Sequence, residues 1–229
     1  MSATGETALR GQGLYRSFQH PAGPVSVLRG AEVRIAAGEF VTLTAPSGAG
    51  KSALLAVLCG FDQPDAGTVE IAGRPVTRPP AWRDCAVLPQ SLGLAQELTL
   101  AENIALPLRL APRDRSLPDQ DTPDAAVAAL LAELDLDGLA DRYPHEVSYG
   151  QQQRAALARA VIARPRVLLA DEPTAHLDQR SAPLVLALLR RRADQGGAVL
   201  VASHHEEVHQ AADRTLVLDQ GRVHDAPTA

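Results

Sequence analysis

Residues 45–52 read Ala-Pro-Ser-Gly-Ala-Gly-Lys-Ser. They sit between an apolar, strand-like run, Phe40-Val41-Thr42-Leu43-Thr44, and an apolar, helix-like run from Ala53 to Cys59. A strand, a glycine-rich loop, a Lys-Ser pair and then a helix is the layout of a phosphate-binding loop. The spacing has a physical cause. Gly48 and Gly50 let the backbone curl until its N–H groups face phosphate oxygens, and a helix beginning near Lys51 adds the positive end of its dipole. Lys51 then reaches the β- and γ-phosphates, and the Ser52 hydroxyl ligates Mg²⁺. The candidate phosphate-binding residues are therefore Ser47, Gly48, Ala49, Gly50, Lys51 and Ser52. Ala45 stands where the motif has its first glycine, an intrusion of one methyl group.

A nucleotide site also needs acids. Residues 167–174 read Val-Leu-Leu-Ala-Asp-Glu-Pro-Thr. An apolar run ending in two carboxylates is the pattern of a buried parallel strand, and open parallel sheets bind their ligands at that carboxyl end. Asp171 is the candidate for holding Mg²⁺, and Glu172 is the candidate general base toward the attacking water. Two weaker candidates follow similar runs. His204 comes just after Ala198 to Ala202, in the pair Ser203-His204, and is placed to contact a γ-phosphate. Gln90 follows Ala86-Val87-Leu88-Pro89 and is placed to touch Mg²⁺ and the lytic water.

Residues 147–154 read Val-Ser-Tyr-Gly-Gln-Gln-Gln-Arg, followed by a helical run from Ala155 to Ala163 and then by the Asp171-Glu172 strand. This order resembles the ATP-binding cassette (ABC) ATPases, whose signature is Leu-Ser-Gly-Gly-Gln before a helix. The resemblance spans about Leu14 to His224. It implies an α/β fold: a P-loop NTPase core with a mostly parallel sheet, an N-terminal antiparallel β region and an inserted α-helical subdomain. It implies ATP and Mg²⁺ as cofactors, with Glu172, His204 and Gln90 catalytic and with Ser52, Gln90 and Asp171 around the metal. Phe18, or alternatively Tyr15, would stack on adenine. Ser148 and Gly150 would cap the γ-phosphate held by a second subunit, and Asp178 would couple the two sites. Val147 and Tyr149 depart from the signature. Tyr149 puts a large ring where glycine lets the backbone approach the nucleotide. It is expected either to point outward or to weaken closure of the dimer.

The resemblance also implies one cassette domain over residues 1–229, with a core from 14–89 and 164–229 and a helical subdomain from 90–163. Within the latter, Ala125 to Leu136 reads as a helix entered through Thr122-Pro123, and Pro112 to Pro123 reads as a mobile loop. The family's partners would be a membrane-spanning permease subunit and a second ATPase subunit, identical or not. The cassette would then work in the cytoplasm, peripheral on the inner face of the cell membrane. Gly60 to Gly67 and Leu100 to Leu108 look most like the short subunits of lipoprotein-release and macrolide-export systems. Two other readings stay open. One is a cassette ATPase that signals through a membrane partner. The other is a catalytically weak, nucleotide-gated interaction module, for which Tyr149 and Ala45 are the motive.

Composition narrows the field. The net charge of −5, with no basic stripe, argues against a nucleic-acid partner. Aromatic residues are 3% of the chain, so aliphatic side chains must build the core. Cys59 and Cys85 lie in apolar runs without histidine spacing, which reads as two buried thiols and no zinc site. Arg190-Arg191-Arg192 closes a helical run and reads as a solvated helix end, where cations suit the dipole. No stretch approaches the roughly 20 apolar residues that span a bilayer.

Overall fold

Successive residues of the central strands face two different cores, which is why these segments read as unbroken apolar runs. The computed structural model describes residues 6–21, 23–46, 48–110 and 122–226. Ser47 and most of the proline-rich segment 112–123 lie outside the described residues. In strands β3 (Phe40–Thr44), β7 (Val167–Asp171) and β8 (Ala198–Ala202), Val41, Leu43, Val167, Leu169, Ala198 and Leu200 pack into one cluster. Phe40, Leu168, Ala170, Val199 and Val201 pack into the other. Side chains alternate with period two, so a strand covered on both sides must be apolar throughout.

These strands belong to a six-stranded sheet of order β10-β9-β3-β8-β7-β6, completed by β6 (Cys85–Leu88), β9 (Arg214–Asp219) and β10 (Arg222–Asp225). All neighbours run parallel except the β9–β10 hairpin, as the sequence implied. The carboxyl ends of β3, β6, β7 and β8 therefore share one edge, and the loops that follow them meet there.

The antiparallel region is larger than the sequence suggested. It is a four-stranded sheet of order β2-β1-β4-β5, made of β1 (Thr7–Phe18), β2 (Val25–Ala36), β4 (Ala66–Ile71) and β5 (Arg74–Pro75). Helix α1 (Lys51–Leu58) shares a core with both sheets, through Leu54, Leu55, Val57 and Leu58 against Leu9, Leu14, Leu28 and Ile35. Gly67 lets β4 approach β1: at φ 96° a Cβ there would lie 2.3 Å from the Gly13 carbonyl oxygen. The largest fully buried side chains are Phe40 and a set of leucines and isoleucines, the aliphatic core that the low aromatic content requires.

Between β6 and β7 the chain forms α2 (Leu100–Leu110), α3 (Pro123–Glu133) and α4 (Tyr149–Val161). Helices α5 (Ser181–Asp194) and α6 (Glu206–Ala211) follow β7 and β8. Thr122 caps α3 with Pro123 at its first position, but the helix stops at Glu133, short of Leu136, because Asp135 takes a left-handed φ of 54°. Thr99 and Glu102 form a reciprocal capping box at the start of α2. One turn further, fully buried Asn103 ties down the preceding loop: its Oδ1 accepts from Ala95 N at 2.8 Å, and its Nδ2 lies 3.0 Å from the Ala95 and Leu98 carbonyls. Asn103→Leu should strand these groups and cost about 1–3 kcal/mol. A urea midpoint equal to that of the wild type would contradict this role.

The arginine run is not a solvated end. Arg190 holds Asp194 and Asp213 at 2.9 Å, and Arg191 pairs with Glu133. Arg192 is buried, its Nε donating to the Pro165 carbonyl at 3.0 Å, and burial lowers its pKa. Successive helical residues are about 100° apart, so three in a row cannot all face water. Cys59 and Cys85 are buried free thiols, pushed up in pKa by desolvation.

Candidate active site

The loop after β3 places glycine at two left-handed backbone positions, as a phosphate-binding loop requires. Gly48 and Gly50 adopt φ 76° and 103°, and Gly50 caps α1 so that Lys51 is its first residue. A Cβ on Gly50 would meet Val27 Cβ at 3.3 Å, so both the backbone angle and the space call for glycine. Ala45, by contrast, is not among the residues with positive φ, and its methyl packs on the neighbouring core. This position has no need of glycine here. Lys51 Nζ donates to the Ala45 carbonyl at 3.2 Å.

The acids at the end of β7 complete the cleft. Asp171 is 8% exposed, and Ser52 Oγ donates to its Oδ2 at 2.6 Å. Burial pushes the Asp171 carboxyl up in pKa. The Ser52 hydrogen bond and the Lys51 charge pull it back, while the Glu172 charge adds to the rise. A buried carboxylate and a hydroxyl side by side form an oxygen donor set for a hard divalent cation, which would relieve the burial cost. Glu172 adopts a left-handed φ of 51°, a strained conformation of the kind that clusters at functional sites. Its Oε2 accepts from Ser203 Oγ at 3.1 Å, and its Oε1 lies 2.9 Å from His204 Nδ1. The carboxylate is thus oriented from two sides by residues at the end of β8.

A cleft of about 810 Å³ is lined by Gly48, Ala49, Gly50, Lys51, Ser52, Gln90, Asp171, Glu172 and His204. Ends of four parallel strands thus bring together candidates as far apart in sequence as residues 48 and 204. Phe18, Ser148, Gly150 and Asp178 are not part of this lining. Phe18 ends β1, 40% exposed, with the Arg16 guanidinium 4.8 Å from its ring centroid. Ser148 caps α4, accepting from Gln151 N at 3.3 Å while Gln151 Oε1 accepts from Ser148 N. Asp178 lies just ahead of α5: its Oδ1 accepts from Ser181 N at 2.7 Å and from Arg180 N, and these bonds lower its pKa.

Residues 28–175 match the model of the ABC transporter family. The chain belongs to this family. The matched span contains the phosphate loop, Gln90, the signature, Asp171 and Glu172, so the cassette is an ATPase that binds ATP. It is 38% identical to the lipoprotein-releasing system ATP-binding protein LolD of Gluconobacter oxydans, over 96% of this chain and 97% of that protein. It is 37% identical to the spermidine/putrescine import ATP-binding protein PotA of Chromobacterium violaceum and 38% to the methionine import ATP-binding protein MetN 1 of Burkholderia lata. The cassette spans only 57% and 62% of those two importers' lengths. Among solved structures it resembles a dimeric, post-hydrolysis state of the ATP-binding cassette MJ0796 bound to ADP and Pi. The TM-score is 0.85 at 25% identity, over 96% of this chain and all of that one.

The two departures from the signature each have defined contacts. Tyr149 does not project freely: its hydroxyl donates to the Gln90 carbonyl at 3.0 Å, and its ring stands edge-on to His176 at 5.0 Å. Val147 packs against the core as leucine would. Two residues of α4 were not singled out from the sequence. Gln153 donates to the Glu172 carbonyl at 2.8 Å, and Arg159 donates to the Gly93 and Leu92 carbonyls at 2.6 and 2.7 Å. The available signal was a polar or charged residue on the apolar side of an alanine-rich helix. Both are buried, and buried polar groups as a rule find partners; Gln153 Nε2 does, while its Oε1 is left without one.

Proposed function

We propose that this cassette hydrolyses MgATP at composite sites shared between two cassette subunits, and so drives a separate membrane-spanning partner of the lipoprotein-release or export type. One observation carries the reading. Lys51, Ser52, Gln90, Asp171, Glu172 and His204 line one cleft, while Ser148 and Gly150 of the same chain lie outside it. A second subunit supplying Ser148 and Gly150 completes the site, with Asp178 as the link between sites.

In this reading the loop N–H groups and Lys51 hold the phosphates. Ser52, Asp171 and Gln90 hold Mg²⁺, which neutralises charge developing on the phosphate oxygens. Glu172, oriented by Ser203 and His204, takes the proton of the attacking water. Phe18 offers a ring face to adenine. Loss of the γ-phosphate removes the bridge between subunits and lets them part.

Residues 14–89 and 164–229 act as the nucleotide-binding lobe, and 90–163 as the helical lobe. Beside Gln90 lies a second cleft of about 520 Å³, lined by Leu55, Cys59, Phe61, Val87 and Pro89 and reaching Ser52 and Asp171 at one end. Phe61 is 65% exposed at its rim. A largely apolar cleft with an exposed aromatic suits a helix of the membrane partner, and it would place that helix against Gln90. Among the described residues no helix is long and apolar enough to cross a membrane. That fits a peripheral subunit on the inner face of the cell membrane. The export subtype is supported by residues 100–108 and by a match that runs along nearly all of the lipoprotein-releasing relative.

The test is size-exclusion chromatography of Glu172→Gln with and without ATP and Mg²⁺, beside wild-type turnover. An ATP-dependent dimer together with wild-type turnover supports the reading. A species that stays monomeric with ATP overturns it. Chelation of divalent cations with EDTA should reduce wild-type turnover to background. Turnover unchanged in EDTA would remove the cation from the mechanism.

A further inference from the structure

Helix α4 grips the segment that follows β6 at two places, and the two grips differ. Arg159 is 7% exposed and donates to the carbonyls of Leu92 and Gly93, both of which adopt left-handed φ angles of 58° and 60°. Desolvated and doubly bonded, this is the stronger of the two grips. Tyr149, one residue into the helix, is 44% exposed, and a single bond from its hydroxyl holds the Gln90 carbonyl at 3.0 Å. A solvent-exposed neutral hydrogen bond re-forms readily, so this grip can follow a shifted carbonyl.

The two ends of the Tyr149 link are informative. Gln90 is one of the residues that line the nucleotide cleft, so a shift of its backbone toward a bound phosphate would carry its carbonyl. Tyr149 lies between Ser148 and Gly150. These three residues form one rigid unit, because Ser148 and Gln151 close a reciprocal capping box over the first turn. A third element joins them. His176 stands edge-on to the Tyr149 ring, with ring planes 76° apart, and its carbonyl oxygen lies 3.4 Å from where a Gly150 Cβ would be. His176 itself sits at a left-handed φ of 67° in the loop that leads to Asp178. One ring therefore touches the residue that senses the chain's own nucleotide and the loop after the catalytic acids. It also belongs to the signature turn.

We infer that Tyr149 is a positioning residue. It couples occupancy of the chain's own cleft, through the Gln90 carbonyl, to the posture of Ser148 and Gly150 toward the partner's nucleotide. This rests on the composite-site reading above. The link takes over work that glycine cannot do at this position: a glycine leaves the turn free of Gln90, whereas the tyrosine hydroxyl ties the two together. The hydroxyl follows the carbonyl as Gln90 moves, so the signature turn is held in register with it once ATP is bound.

The test uses Glu172→Gln as the background, in which ATP is held without turnover. Tyr149→Phe keeps the ring on His176 and removes only the hydroxyl. Gln90→Ala removes the sensing side chain and keeps the carbonyl. The readouts are the ATP concentration for half-maximal dimer, the affinity of the dilute monomer for a fluorescent ATP analogue, and the urea midpoint. Tyr149→Phe is expected to raise the dimerisation midpoint about 3- to 10-fold, the equilibrium weight of one neutral hydrogen bond. Monomer affinity and urea midpoint should stay unchanged. In the Gln90→Ala background the same substitution should add nothing further. A midpoint unmoved by Tyr149→Phe overturns the inference. So does an equal rise in both backgrounds, which would make the hydroxyl a local support independent of sensing. If Glu172→Gln itself forms no ATP-dependent dimer, the composite-site reading has failed first, and the inference falls with it.

Discussion

Glu172→Gln is expected to lower ATP turnover by about 100- to 10,000-fold, the usual weight of one positioned general base, while nucleotide binding persists. The substitution preserves shape and removes basicity. In the native site both carboxylate oxygens accept, one from Ser203 Oγ and one near His204 Nδ1. The amide keeps one accepting oxygen and turns an NH₂ toward the other partner, so the side chain stays near its place but cannot take a proton from water. The Gln153 bond to the residue 172 carbonyl is untouched, and the strained backbone is held as before. Phosphate release under saturating ATP measures the effect. Turnover within about threefold of wild type would move the general base to another residue, and His204 would then be the group to replace next.

Lys51→Ala is expected to weaken ATP binding by roughly 10- to 150-fold, the range for losing a hydrogen bond to a charged group. Lys51 Nζ donates to the Ala45 carbonyl, a partner it can exchange for phosphate oxygens without crossing the cleft. Lys51→Arg should recover little of the loss, because a planar guanidinium does not fit a loop shaped around a compact ammonium. Isothermal titration with ATP separates the outcomes. Binding within threefold of wild type for Lys51→Ala would mean that the loop N–H groups and helix dipole hold the phosphates unaided.

Different parts of the site were legible to different degrees. Gly48, Gly50, Lys51 and Ser52 could be read because the loop is local: its chemistry depends on neighbours within a few residues. Asp171 and Glu172 could be read because a buried strand announces itself by an unbroken apolar run. Phe18 is less well defined, since stacking on a base leaves no mark in spacing, and its ring lies outside the cleft lining. The arginine run was misread because consecutive charges look solvated in one dimension. On the helix, Arg192 turns inward and finds the Pro165 carbonyl. Gln153 and Arg159 were overlooked because their partners, Glu172, Leu92 and Gly93, are distant in sequence.

The amino-acid sequence by itself determined the phosphate loop, the apolar strands on either side of it, the carboxylates at a strand end and the helical stretch between Gln90 and Asp171. Each of these follows from short-range rules: backbone freedom at glycine, periods of two and 3.6, and caps such as Thr122. Tertiary structure alone decided which strand ends meet. Parallel pairing of β3, β7 and β8 joins residues more than a hundred positions apart, and periodicity encodes which face of a strand is buried but not which strand lies beside it. It also decided the direction of Tyr149, which from the sequence could have obstructed the signature or stood clear of it. The ring turns onto Gln90 and His176, because the packing of α4 against the segment after β6 brings an acceptor within reach of its hydroxyl.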